Sequence, residues 1–134
     1  MSYIATAPPF FNHEWQNDNV GNLRSFIYPN GVNAFYDYDH LNRLTNMAIN
    51  RLTTPMESYA YTLAVTGHRL GVQEGNGRNA SYAYDDLYRL TKETILGASI
   101  LGNIDYSLDP VGNRLNMNSS VLGIPSQVNT FDAN

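Results

Sequence analysis

Apolar and polar positions alternate in short runs along this chain, and the runs stop at clusters of Asp, Asn, Gly and Pro. Tyr36 and Tyr38, Tyr59 and Tyr61, and Tyr82 and Tyr84 each stand two residues apart. Strand side chains alternate, so this spacing puts both rings of a pair on one face. No segment carries a helical period; residues 86–101 come nearest, and Gly97 and Gly102 argue against a long helix there. The pattern predicts about eleven strands, over residues 10–17, 22–28, 32–39, 43–50, 57–63, 69–74, 78–84, 89–95, 103–108, 114–121 and 126–131.

The runs are copies of one cassette. Tyr36-Asp37-Tyr38-Asp39-His40-Leu41-Asn42-Arg43-Leu44 returns as Tyr82-Ala83-Tyr84-Asp85-Asp86-Leu87-Tyr88-Arg89-Leu90. The residue that opens each turn falls at Asp18, Asp39, Ala64, Asp85 and Asp109, with steps of 21, 25, 21 and 24. Short and long steps alternate, which makes the repeat a double hairpin, and such self-similarity marks an array. Two turn types are expected to alternate with it. Arg43-Leu44 and Arg89-Leu90 follow a short turn, while Gly67 with Arg69-Leu70 and Gly112 with Arg114-Leu115 mark one that is a residue longer. Asp at a strand end can accept hydrogen bonds from the turn that follows, and Pro110 pre-sets a turn dihedral. Gly67 and Gly112 supply positive φ cheaply. Tyr88 would do so at a cost, so the short turn is expected not to need it. Tyr28-Pro29-Asn30-Gly31 and Glu74-Gly75-Asn76-Gly77 place Asn-Gly reversals at the other strand ends, and Thr53 to Glu57 reads as a loose connection.

Composition agrees with an all-β chain. Of 134 residues, 43% are hydrophobic and 15% charged, which is too apolar for disorder. Net charge is −4 without a basic run, so the electrostatic footprint for nucleic acid is missing. There is no cysteine, which excludes disulfides and thiolate catalysis. Residues 1–9 lack the charged and apolar regions of a signal peptide, and no apolar run is long enough to span a bilayer.

The cassette Y-x-Y-D-x-L-x-R-L, the Gly67-His68-Arg69-Leu70 turn and the Tyr28-Pro29-Asn30-Gly31 turn together resemble the Rhs family, also called YD-repeat proteins, from about Trp15 to Met117. That family includes bacterial Rhs polymorphic toxins, C components of insecticidal toxin complexes and animal teneurins. The resemblance implies a spiralling antiparallel β-sheet, which in long members winds into a hollow shell. It also implies export as part of a larger toxin protein. This chain holds too few repeats to close a shell, and no toxin domain is recognisable after them. Asp109-Pro110-Val111-Gly112 shares the D-P-x-G letters of the family's self-cleaving region, but its place in the repeat reads as a turn.

The expected fold is therefore one all-β domain over 1–134, an antiparallel, curved sheet of repeated hairpins open at its edges. It comprises an N-terminal segment (1–14), repeats (15–118) and a C-terminal strand or tail (119–134). The residues singled out are the motif itself: Tyr36, Tyr38, Asp39, Arg43, Leu44, Tyr59, Tyr61, Gly67, Arg69, Leu70, Tyr82, Tyr84, Asp85, Arg89, Leu90, Asp109, Gly112, Arg114 and Leu115. Their recurrence points to architecture, since a catalytic pair such as Asp37/Asp39 or Asp85/Asp86 need occur once. His13, His40 and His68 lack the spacing of metal ligands. No catalytic residue, metal or cofactor is expected. The recurring arginines are expected to pair with the turn Asp or stack on Tyr. An open sheet leaves an uncovered face and two unpaired edges. The expected partners are accordingly a second copy, as a dimer or larger and with strand exchange through uncharged 126–131, or another Rhs-type protein. A glycan- or cell-surface-binding module using exposed Tyr rows is the alternative.

Overall fold

A computed structural model describes residues 14–97 and 99–131. The chain divides into two compact units, residues 1–57 and 58–134. The first holds β1 (Glu14–Asn17), β2 (Leu23–Ile27), β3 (Val32–Tyr38), β4 (Leu44–Arg51) and the start of β5 (Thr54–Leu63). The second continues β5 and holds β6 (Arg69–Glu74), β7 (Asn79–Tyr84), β8 (Leu90–Leu96), β9 (Gly102–Leu108), β10 (Arg114–Ser119) and β11 (Gln127–Val128). Within each unit the strands lie in sequence order and the pairs described are antiparallel. The fold is all-β, an open antiparallel sheet built hairpin by hairpin.

Cross-strand register sorts the side chains into two faces. In the second unit Tyr61 opposes Val72, Val72 opposes Ala80, Ala80 opposes Ile95, and Met117 opposes Tyr106. The other face runs Thr62, Gly71, Ser81, Thr94 and Asn103 across five strands. One face is thus apolar and Tyr-bearing, and the other small and polar. The first unit repeats this, with Phe26, Ala34 and Ile49 in one row and Tyr36 opposite Met47. Burial is thin. Ile95, Ile104, Met117 and Val121 form a small core with Tyr106 packed against it, and among the described residues of the first unit Ala34 is the buried apolar one.

Among the described residues three boundaries differ from the sequence expectation by two residues or more. β5 begins at Thr54, because Leu52 turns the chain tightly at φ 54° with its N–H on the Gly31 carbonyl at 2.7 Å; residues 54–57 are strand, not a loose link. β10 ends at Ser119, and Val121 turns into the core at 3% exposure. β11 is two residues long, far shorter than 126–131. The expected start of the first strand, residues 10–13, lies outside the described residues, as does His13.

Candidate functional site

The hairpin turns carry seven of the nineteen motif residues, and they share one geometry. In Asp18–Asn22, Asp39–Arg43, Ala64–His68, Asp85–Arg89 and Asp109–Asn113 the first N–H donates to the fifth carbonyl, and the fourth N–H to the first carbonyl, at 2.8–3.2 Å. The fourth residue is always left-handed: Gly21 (φ 96°), Asn42 (60°), Gly67 (100°), Tyr88 (61°) and Gly112 (97°). A one-residue register shift follows each turn, as in three-residue loops closed by a bulge. The two expected turn types are therefore one. Tyr88 does adopt positive φ, contrary to the sequence expectation. What alternates is the fifth residue, which is Arg in two turns and Asn or His in three.

That difference decides where each arginine goes. Arg43 and Arg89, at the fifth position, reach back to their own Asp39 and Asp85 at 2.7 and 2.6 Å. In the turns of Asp18 and Asp109, Asn22 and Asn113 hold the same carboxylate oxygen at 2.9 and 2.8 Å. Arg69 and Arg114 come one residue later, in the strand, and lie over the rings of Tyr61 (4.2 Å) and Tyr106 (5.8 Å). Leu44, Leu90 and Arg69 pair directly with Tyr38, Tyr84 and Leu63 at the hairpin mouths. Leu70 and Leu115 fall where the register shifts, and both are exposed.

The other oxygen of each Asp accepts two backbone N–H groups. Asp39 Oδ1 takes Leu41 and Arg43, Asp85 Oδ1 takes Leu87 and Arg89, and Asp109 Oδ1 takes Val111 and Asn113, at 2.7–3.0 Å. Asp85 is held below its ordinary value chiefly by the Arg89 N–H, against partial desolvation. At Asp39 desolvation pushes upward, and the Arg43 and Leu41 bonds outweigh it. Asp18 and Asp109 are lowered in the same way through Asn22 and Asn113. Carboxylates committed at both oxygens are poor proton carriers. Tyr106 donates to Glu93 at 2.6 Å; desolvation, that bond and the nearby carboxylate push its phenol up to about 12.

Neighbouring turns are tied sideways, which the sequence reading missed. Asn22 Nδ2 donates to Asn42 Oδ1 at 2.9 Å. One double repeat later the same two positions are His68 and Tyr88, with ring centroids 4.8 Å apart. His68 also meets Tyr84 at 4.7 Å and Thr66 Oγ1 at 3.0 Å. Arg89 Nη1 reaches the Asp109 carbonyl of the next turn at 2.9 Å. The third turn position is aliphatic and exposed in four turns: Val20, Leu41, Leu87 and Val111, at 56–84% exposure. Turn tips are ordinarily polar.

Cavities are shallow. A groove of about 370 Å³ on the small-residue face of the second unit is lined by residues such as Thr62, Gly71, Gln73, Ser81 and Thr94, with no Asp, Glu, His, Lys or Arg. A second of about 420 Å³ sits beside Asp18, Asp37, Asp39 and His40. Among the described residues no three His, Cys, Asp or Glu converge as metal ligands, and no helix is long and apolar enough to cross a membrane.

Neither a family model nor a curated protein matches this chain in sequence. Solved structures do match in shape. One is the Tc holotoxin pore of Photorhabdus luminescens with a mutant TccC3, at TM-score 0.73 and 17% identity over 82% of this chain. Two are crystal structures of TcdB2-TccC3, at TM-scores 0.73 and 0.71, with 16% and 20% identity over 82% and 81% of this chain. The chain spans only 6–7% of the length of those chains. Its fold is that of a short stretch of a Tc toxin chain, the antiparallel hairpin sheet that resemblance to the Rhs, or YD-repeat, family implies.

Proposed function

We propose that this chain is a non-enzymatic structural and interaction module, a short Rhs-type YD-repeat sheet acting as one piece of wall. It self-associates as a dimer or larger assembly, or docks onto a larger Rhs-type shell. One observation carries the reading: among the described residues seven hydrophobic side chains are buried while twenty large ones are exposed. Large exposed side chains at turns and strand ends are ordinary one by one; what calls for a partner is that a single sheet layer cannot cover its own apolar side. Four of those twenty are the aliphatic turn tips Val20, Leu41, Leu87 and Val111. The solved chains of this fold come from a holotoxin and from TcdB2-TccC3, which supports a place in a multi-component, exported toxin. Molar mass by light scattering tests the self-associating form. A dimer or larger closed species is expected, reduced by removing residues 120–134; a monodisperse monomer that also fails to bind an Rhs-type shell would falsify the proposal.

Glycan binding by Tyr rows is the second reading, favoured by Tyr59 and Tyr61, whose rings lie 6.4 Å apart and within 8° of parallel. Arg69 covers Tyr61, which leaves that pair less open to a sugar. Glycan-array binding lost in Tyr36→Ala or Tyr82→Ala would establish it.

A further inference from the structure

Two Asn-Gly turns in this chain are chemically alike but differently restrained, and we infer that Asn30 is a site of spontaneous deamidation from which Asn76 is protected. Glycine offers the least hindered backbone nitrogen to a preceding Asn. Gly31 N can attack Asn30 Cγ, expelling the side-chain nitrogen as ammonia and closing a succinimide. Water then opens the ring at either carbonyl, leaving aspartate or isoaspartate. For that attack the side chain must swing away from its native bonds.

The restraints can be compared bond by bond. In both turns the glycine N–H donates to the carbonyl three residues earlier at 3.0 Å, Gly31 to Tyr28 and Gly77 to Glu74. In both, Asn Oδ1 accepts the N–H two residues on, from Val32 at 3.1 Å and from Arg78 at 2.8 Å. Asn76 has a third tie, because its Nδ2 donates to Glu74 Oε2 at 3.2 Å. Glu74 is itself held by Arg78. The residue in the place of Glu74 is Tyr28, which carries no carboxylate. Both Asn side chains are exposed to water. The glycines differ, since Gly31 is half-buried against Leu52 and its carbonyl takes the Leu52 N–H at 2.7 Å while Gly77 is open, but neither contact is a tie on the Asn30 side chain.

The products have different consequences. Aspartate at 30 keeps an oxygen for the Val32 N–H and adds one negative charge. Isoaspartate lengthens the backbone inside the β2–β3 turn and breaks its closure, loosening the strand next to β1.

The test is incubation of the full chain at mildly alkaline pH, with tryptic peptides followed by mass spectrometry. Asn30 lies in the peptide of residues 25–43 and Asn76 in that of residues 70–78, and fragmentation separates Asn30 from Asn33 and Asn42. The folded chain should lose Asn30 about fivefold faster than Asn76, the factor that one net hydrogen bond supplies. In denaturant the two rates should converge, and Glu74→Ala should raise the Asn76 rate toward that of Asn30. Equal rates in the folded chain, a faster Asn76, or a difference that persists in denaturant would overturn the inference.

Discussion

Tyr88 holds φ at 61° and leaves 60% of its surface exposed. A left-handed non-glycine residue costs about 1–2 kcal/mol. Glycine would relieve that cost but would add about 0.5–1 kcal/mol of chain entropy to the unfolded state. It would also remove the ring from His68, 4.8 Å away; for a ring this exposed the low end of the aromatic range applies, about 0.5–1 kcal/mol. In the native background these terms nearly cancel, so Tyr88→Gly should shift stability by less than about 0.5 kcal/mol. With His68→Ala already present the ring term is gone, and the same change should stabilise by about 0.5–1 kcal/mol. A double-mutant cycle in urea, with coincident transitions by two probes, reads the coupling directly. No coupling, or a loss above about 2 kcal/mol in both backgrounds, would refute the strain-against-contact account. A graft makes the same point by construction. His68→Asn with Tyr88→Asn copies the Asn22–Asn42 pair, and the double variant should be more stable than either single one.

Gly112 supplies the left-handed position, with open space where a Cβ would stand. Gly112→Ala should therefore cost about 1 kcal/mol from backbone strain alone, and an unchanged thermal midpoint would contradict the shared turn geometry. Asp18, Asp39, Asp85 and Asp109 all sit below the ordinary 3.8. A lowered carboxyl stabilises fully above its unfolded value and loses that contribution as pH falls through the folded one. The chain should thus weaken on acidification below about pH 4, with a shallower acid slope in Asp85→Asn; an unchanged slope would show that the Arg89 contacts do not hold the proton off. Tyr106 is raised from 10.0 to about 12, so its contribution is whole below pH 10 and lost toward 12. Absorbance titration should show a late phenol component that shrinks in Tyr106→Phe, while Tyr84, also raised by desolvation, stays behind.

Period two and the Asp series made the fold legible. The strand edges from Val32 to Tyr84 fall within a few residues of the alternating runs, because Tyr-x-Tyr and the Asn-Gly and Asp turns are local signals. Thr54 to Glu57 misled because Pro55 and the threonines look like a link, while the reversal is made by Leu52, a residue no turn preference selects. Val121 misled for the opposite reason: an apolar residue after a strand reads as more strand, yet a small core pulled it out of line. The turn motif was read one residue wrong. Measuring turn length from the opening Asp to the Arg-Leu pair, instead of to the left-handed position, splits one turn into two, since Arg43 and Arg69 look equivalent in sequence but stand at the fifth and sixth positions.

Side-to-side ties could not be read at all, and they explain the residues that local rules disfavour. Nothing near Tyr88 in sequence calls for a tyrosine at positive φ; the reason lies twenty residues back, at His68. Asn42 is a residue that local rules do allow at positive φ, and its side chain is likewise tied sideways, to Asn22. A sheet with so little buried surface cannot rely on a core to fix the angle between successive hairpins. Contacts between adjacent turns do that instead, each weak and each repeated. Substitution at the fifth position of one turn should therefore be felt at the fourth position of the next, within the double repeat, while turns without such a contact tolerate change independently.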